Sequence, residues 1–238
     1  MQTQPTLPDE VTKRPLHFFY LVDSSGSMTG AKINSLNHAI REVIPEIKSA
    51  LSNHPEVQAK VRAIRFSSDV SWHVGPDAVD LESFVWNDIQ PSGRTSTSGA
   101  VRMLVEALDI ENMPRRGYPP VCILVSDGYC TDAEGEYESA IDALNRIPWG
   151  KKAVRISIGV GNEGEYDEEE LLRFSNQSEV GLLKAQNAAA LVQHIKWAST
   201  AAAVGASMGK SKLHGEEGEI ILLDTPPQPM LSDQGDVF

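Results

Sequence analysis

The chain has little or nothing of several features that mark other classes of protein. It contains two cysteines, Cys122 and Cys130, whose spacing matches neither a CxxC pair nor a metal-binding cluster, as expected in a reducing compartment. No apolar run approaches the length of a membrane span, and the polar N-terminus does not resemble a secretory hydrophobic segment. We therefore expect a soluble, cytoplasmic protein with no membrane contact.

Positive charge is also scarce, because 21 lysines and arginines stand against 33 aspartates and glutamates. The resulting net charge of −12 argues against nucleic-acid binding, which needs a basic face to neutralise phosphates. None of the six histidines lies in an HExxH pattern, and the sequence has no G-x-S-x-G nucleophile elbow. These absences disfavour zinc and serine hydrolases.

What the chain does have is a regular alternation of apolar runs and helical patterns. We predict strands at about 16–22, 57–66, 70–74, 120–125, 153–160 and 181–183, and helices at about 33–51, 101–108, 140–147, 171–174 and 187–208. This order predicts an α/β, doubly wound, Rossmann-like fold: a mostly parallel sheet with one antiparallel edge strand and helices on both faces. Pro45 should kink or end the first long helix.

The ends of the chain differ in composition from its middle. We predict a flexible lead at 1–13, one domain at 14–208 and an acidic, proline-containing tail at 209–238. An apolar island at 220–223 interrupts the tail. The tail could add a strand to a partner's sheet, or it could fold back so that Asp224 or Asp233 approaches a metal bound by the protein itself.

Two of the predicted strands end in polar residues suited to a metal ion. The run HFFYLVDSSGS ends strand one with Asp23, Ser25 and Ser27, and CILVSDG ends a later strand with Asp127. Because the carboxyl ends of parallel strands share one sheet edge, we expect Asp23 and Asp127 to converge. Thr95, in the loop PSGRTSTSG, would add a third hydroxyl. Such an all-oxygen site with open positions suits a hard cation such as Mg²⁺.

These three segments together resemble the metal-ion-dependent adhesion site of von Willebrand factor A (VWA) domains, over about residues 14–205. The resemblance implies a protein-binding module without catalysis, in which a carboxylate from a partner's Asp or Glu supplies the last ligand. It also implies that Mg²⁺ or Mn²⁺ is surrounded by Asp23, Ser25, Ser27, Thr95 and Asp127.

The run FFYLVDSSGSM also resembles a narrower group, the intracellular bacterial VWA proteins of the TerY-like, tellurium-resistance-associated type. That resemblance implies a kinase, a phosphatase or another component of a stress or metal-resistance system as partner.

Other interpretations of the same residues stay open. The segment 23–27 could be a helix N-cap, and Asp127 with Gly128 an ordinary turn. Thr97 is an alternative to Thr95, since Arg94 follows Gly93 where a second glycine is commoner, although the spacing of Thr95 to the helix matches better. A Mg²⁺-dependent phosphatase is disfavoured because the loops offer Arg94 as their lone cation. A scaffold acting through its tail, with a purely structural metal, is the third possibility.

Overall fold

Apolar strands alternate with amphipathic helices in the computed structural model, which describes residues 13–207, 211–213, 219–221, 223 and 226. Two short 3-10 turns, Gly26–Met28 and Leu81–Ser83, lie between the longer elements. In chain order the strands and α-helices are β1 (Arg14–Asp23), α1 (Ala31–Leu51), β2 (Val57–Phe66), β3 (Val70–Asp80), α2 (Thr97–Ala107), β4 (Val121–Ser126), α3 (Glu136–Arg146), α4 (Pro148–Lys152), β5 (Val154–Val160), α5 (Glu168–Phe174), β6 (Leu183–Ala185), α6 (Ala188–Ser207), β7 (Ser211–Leu213) and β8 (Glu219–Ile221).

The main sheet has the strand order β3-β2-β1-β4-β5-β6. All neighbouring strands in it run parallel except β3, which is antiparallel to β2 at one edge. Along β1, Phe18 and Tyr20 belong to the core beneath α1 and α6, whereas Phe19 and Leu21 belong to the core beneath α2 and α3. Burial on both faces explains why β1 is a continuous apolar run. The predicted doubly wound α/β fold is confirmed.

Some element boundaries differ from the prediction. Helix α1 does not end at Pro45 but continues to Leu51, because Ile47 and Leu51 keep burying their side chains and outweigh the one backbone hydrogen bond that proline removes. Strand β3 extends to Asp80, β6 begins at Leu183, and the short helix α4 was not predicted. None of these differences moves the ends of β1 or β4.

Most of the predicted lead and tail lies outside the described residues, including Asp224 and Asp233. Within the described part, β7 pairs antiparallel with β8. Leu223 is buried, and its backbone N–H donates to Gln177 Oε1 at 3.0 Å. Gln177 follows Asn176, whose amide donates to the carbonyl of Arg155 near the start of β5. Leu223 therefore lies at the sheet edge opposite the ends of β1 and β4.

No helix in the described part of the chain is long and apolar enough to cross a bilayer.

Candidate metal site

The pairing of β1 with β4 determines the position of the first carboxylate of the site, that of Asp23. These strands are parallel neighbours with Val22 opposite Val125, so Asp23 falls beside Ser126. Ser126 Oγ donates to Asp23 Oδ2 at 2.5 Å, and the backbone N–H of Ser25 donates to Asp23 Oδ1 at 2.8 Å. Because both oxygens accept a hydrogen bond, the carboxylate is held in one orientation.

A chain of hydroxyls links this strand end to the second carboxylate. Ser25 Oγ lies 2.9 Å from Ser27 Oγ, and Ser27 Oγ donates to Asp127 Oδ1 at 2.6 Å across 100 positions of sequence. Ser25, which precedes the 3-10 turn, makes no side-chain capping hydrogen bond, and the residue that precedes α1 is Gly30, which has no side chain with which to cap the helix. The serine side chains thus face each other and Asp127, which the helix-cap interpretation does not explain.

Thr95 comes to the same place from a different loop. An ideal Cβ added to Gly128 would lie 3.3 Å from Thr95 Oγ1 and 3.7 Å from Ser27 Oγ, so both hydroxyls border one small cradle that a side chain at 128 would fill. Thr97, the alternative, begins α2, and its backbone instead approaches Cys130. The structure therefore brings together the hydroxyls of Thr95 and Ser27.

The loop that carries Thr95 is held from two sides. Gly93 accepts a hydrogen bond from the Gly26 amide at 2.9 Å, which ties the loop to the serine turn. The Thr95 carbonyl accepts from both the amide and the hydroxyl of Thr131, each at 2.9 Å. Asp132 Oδ2 then accepts from the Ser98 amide at 2.8 Å and so caps the start of α2.

Burial and charge are distributed unevenly over the site. Asp23 is fully buried, and this burial raises its pKa to about 6, although hydrogen bonds from Ser126 and Ser25 oppose the rise. Asp127 is also buried, but Lys32 Nζ lies 2.8 Å from its Oδ2. Ser27 is exposed and marks the side on which the site opens to solvent.

Lys32 adds a cation that the loops alone do not contain. Arg94 is the lone cation within the loops, as the sequence indicated, but the ammonium that contacts the site comes from the first turn of α1. Lys32 Nζ also lies 3.8 Å from Oε2 of Glu165, in the turn after β5. A lysine therefore reaches the site from a helix, although none lies within the loops themselves.

The donor set fits a hard cation. No three His, Cys, Asp or Glu side chains cluster as a metal site within the described residues, so two carboxylates and neighbouring hydroxyls are what the candidate site offers. Oxygen donors of low total charge suit Mg²⁺-type ions, which keep part of their water shell, better than they suit a full protein cage. The ammonium of Lys32 on Asp127 shows that this edge attracts positive charge.

Sequence reasoning missed three residues that shape the site: Ser126, Lys32 and Asp132. Ser126 could have been found, because it precedes Asp127 and ends the neighbouring strand. Lys32 had a weaker signal, since a lysine in the first turn of a helix opposes the helix dipole and so suggests a nearby anion. Asp132 had none, because its partner, the Ser98 amide, is 34 positions away.

The model of the von Willebrand factor type A domain matches residues 19–196. The chain belongs to the VWA family. Among curated proteins, it is 25% identical over 178 residues to inter-alpha-trypsin inhibitor heavy chain H4 of Homo sapiens, an alignment that covers 71% of this chain and 18% of that protein.

Solved structures share the VWA fold with this chain at low sequence identity. A von Willebrand factor type A protein from Catenulispora acidiphila aligns with a TM-score of 0.61 at 13% identity, covering 82% of this chain and 43% of that one. The PilB minor pilin of Streptococcus sanguinis, a D319A mutant, gives 0.64 at 14% identity and coverages of 87% and 65%. Proximal thread matrix protein 1 from the mussel byssus, with a zinc-occupied MIDAS motif, gives 0.55 at 15% identity and coverages of 81% and 46%. The chain spans less than two thirds of each relative's length.

Proposed function

We propose that this VWA domain binds a partner protein through a divalent cation held by Asp23, Ser25, Ser27, Thr95 and Asp127. The observation that carries the proposal is the continuous set of hydrogen bonds from Asp23 through Ser25 and Ser27 to Asp127 at one sheet edge. VWA domains form a family of metal-dependent protein-interaction modules, and the mussel relative has a zinc-occupied MIDAS motif.

The protein's own residues prepare the site for a ligand from outside. Asp23 is oriented by Ser126, and Asp127 is oriented by Ser27, so little rearrangement is needed to present oxygens to a cation. Two carboxylates balance a dication only nominally, and Lys32 already offsets part of the charge on Asp127. A bound cation would supply an electron-poor centre that attracts an anionic oxygen, for which an Asp or Glu of the partner is the proposed source.

We propose Mg²⁺ or Mn²⁺ as the physiological cation. The basis is the donor chemistry, because carboxylate and hydroxyl oxygens suit these ions and no histidine or thiolate belongs to the proposed set. Competition between Mg²⁺, Mn²⁺ and Zn²⁺ in one calorimetric titration would rank them. Tighter binding of Zn²⁺ alone, with no measurable Mg²⁺ or Mn²⁺ binding, would contradict this choice.

The function is tested by partner capture from an extract of the source organism. We expect a set of proteins retained by the wild type in Mg²⁺, and lost both in EDTA and with Asp23→Asn. The matched control is Asp142→Asn, which removes an exposed carboxylate on α3 whose ion pair with Arg146 lies far from the site. Identical captured proteins in every condition would show that recognition does not pass through the metal.

We further propose that the domain acts as a binding module and not as an enzyme, as is general for VWA domains. The alternative, a Mg²⁺-dependent phosphatase, predicts turnover of a generic phosphomonoester that disappears in Asp23→Asn. Metal binding without turnover is the result that our proposal expects.

The cellular setting is proposed from resemblance alone. The run FFYLVDSSGSM supports a cytoplasmic, bacterial protein of the TerY-like type, acting with a kinase or phosphatase in tellurium resistance or stress signalling. A strain lacking the protein should then be more sensitive to tellurite, and Asp23→Asn should fail to restore resistance. Restoration by Asp23→Asn would separate that role from the metal.

A further inference from the structure

A groove of about 640 Å³ lies at the end of the sheet where the parallel strands begin, opposite the candidate metal site. The segment between α2 and β4 forms one wall, and α4 forms the other. Because Val121 of β4 pairs with Val154 of β5, both walls sit where these parallel strands begin. The site with Asp23 and Asp127 sits where the strands end, roughly 20 Å away for a strand of this length.

The floor of this groove is apolar although it faces solvent. Ile110 is 62% exposed, and Trp149 is half-buried beside it, with Pro148 exposed and Met113 buried. An exposed aliphatic side chain next to a tryptophan and a methionine has the composition of a protein-interface centre. The groove thus offers apolar area that the described part of the chain does not cover.

The rim of the groove is cationic in a chain whose net charge is −12. Arg115 and Lys152, which line the groove, and their sequence neighbours Arg116 and Lys151 are all exposed, and none of them forms an ion pair with a residue that the structure describes. Lys152 instead places its ammonium 5.9 Å from the centre of the Trp149 ring. Elsewhere on the surface many cations are paired; Lys184, for example, lies 2.8 Å from Glu168.

We propose that this basic groove binds an acidic peptide segment of a partner protein. An aliphatic or aromatic side chain of the peptide would pack on Ile110 and Trp149, and carboxylates of the peptide would pair with Arg115 and Lys152. Charge complementarity favours an acidic occupant, because one glutamate, Glu111, is the only acid among the groove residues described. A nucleic acid fits less well, since two cations beside an apolar floor do not track a phosphate backbone.

The groove would work independently of the metal site. The groove lies where β4 and β5 begin, and the metal site lies where β1 and β4 end. No groove residue belongs to the proposed ligand set. One domain could then hold a metal-dependent partner at one edge and an acidic segment at the other.

The test is fluorescence anisotropy with the full chain and a labelled peptide carrying glutamates on both sides of a Leu-Leu pair. The full chain is used because β8 lies beside α4, so any competition from that segment is included. We expect saturable binding, unchanged in EDTA, that weakens at least tenfold in Arg115→Glu/Lys152→Glu. It should also weaken at least tenfold when glutamines replace the peptide's glutamates. The control Arg41→Glu/Arg102→Glu reverses two exposed cations on other surfaces and should bind as the wild type does.

A photo-cross-linker in place of one leucine maps the contact. Cross-links on 110–115 and 148–152 would support the proposal. Cross-links confined to other surfaces, equal binding by Arg115→Glu/Lys152→Glu, or binding of an oligonucleotide or anionic vesicles without the acidic peptide would each overturn it.

Discussion

Lys32 and Asp127 form an ion pair at the mouth of the candidate metal site, with Lys32 Nζ 2.8 Å from Asp127 Oδ2. The Asp127 side chain is fully buried and that of Lys32 is 15% exposed, so the pair is largely shielded from water. Asp127 therefore interacts with a cation of the protein itself, Lys32, in addition to the proposed metal. The two cations share one carboxylate, and each should weaken the attraction of the other.

Lys32→Met should separate the contribution of Lys32 to stability from its effect on metal binding. Without added metal, the variant leaves a buried carboxylate unpaired, which should lower the free energy of unfolding by about 1–3 kcal/mol. With metal, loss of the neighbouring positive charge should raise the affinity, by roughly tenfold or more. Urea unfolding in EDTA and calorimetric titration with Mn²⁺ measure the two effects.

Lys48→Met is the matched control for that variant. Lys48 lies on the same helix and pairs with the exposed Glu82 at 3.3 Å, away from the site. We expect this change to leave metal affinity unaltered and stability within about 1 kcal/mol. Weaker metal binding by Lys32→Met than by the wild type would mean that Lys32 orients Asp127 and does not compete with the metal.

Asp132→Ala should show how far the position of Thr95 depends on the start of α2. Asp132 Oδ2 accepts from the Ser98 amide at 2.8 Å and from the Cys130 thiol at 3.0 Å. Removing the cap should cost about 1 kcal/mol of stability and loosen the loop with Thr95, so metal affinity should fall severalfold. Thermal unfolding and calorimetric titration provide the two values.

The control for Asp132→Ala is Asp109→Ala. Asp109 Oδ1 accepts from the Glu111 amide at 2.9 Å, the same kind of hydrogen bond, in the turn after α2. That variant should retain the metal affinity of the wild type. Equal metal affinity in both variants would show that Thr95 either holds its place without the cap or is not a ligand.

His17 should make the protein less stable in acid. Burial lowers its pKa from 6.5 to about 4, with help from the charges of Arg62 and Lys60, and its Nδ1 has no hydrogen-bond partner within the described residues. The unfolded chain therefore takes up a proton first as the pH falls, so stability is lost between about pH 6.5 and about pH 4. Between about pH 8 and about pH 5 the loss from this residue should be about 2 kcal/mol.

Comparison of the wild type with His17→Leu isolates that contribution, because all other titrating groups are common to both proteins. The unfolding free energies should agree within about 1 kcal/mol at about pH 8, and the variant should gain about 2 kcal/mol relative to the wild type at about pH 5. Parallel pH dependences of the two proteins would show that His17 does not titrate in this range.

The sequence was sufficient to predict the fold and the meeting of Asp23 with Asp127, because both follow from two buried parallel strands whose ends must share an edge. The end of each strand is a local feature, since the apolar run stops there at a polar residue. Lys32 could not be placed in the same way, since its contact depends on the rotation of α1 and on its side-chain conformation. Thr95 is intermediate: its loop was evident, but only the packing around Gly128 shows which threonine hydroxyl borders the cradle.

The apolar island at 220–223 illustrates a second limit. The sequence left open whether the island joins a partner's sheet or folds back, because the partner of Leu223, the side chain of Gln177, is 46 positions away in a loop. Local pattern cannot identify such a partner.

The central claim is that Asp23 and Asp127, with the hydroxyls between them, bind a divalent cation. Calorimetric titration of the metal-free wild type and of Asp23→Asn with Mg²⁺ and Mn²⁺ tests it most directly, with circular dichroism to verify that the variant is folded. The account predicts one bound cation per wild-type chain and none in the folded variant. Equal binding by both proteins, or no binding by the wild type, would contradict it.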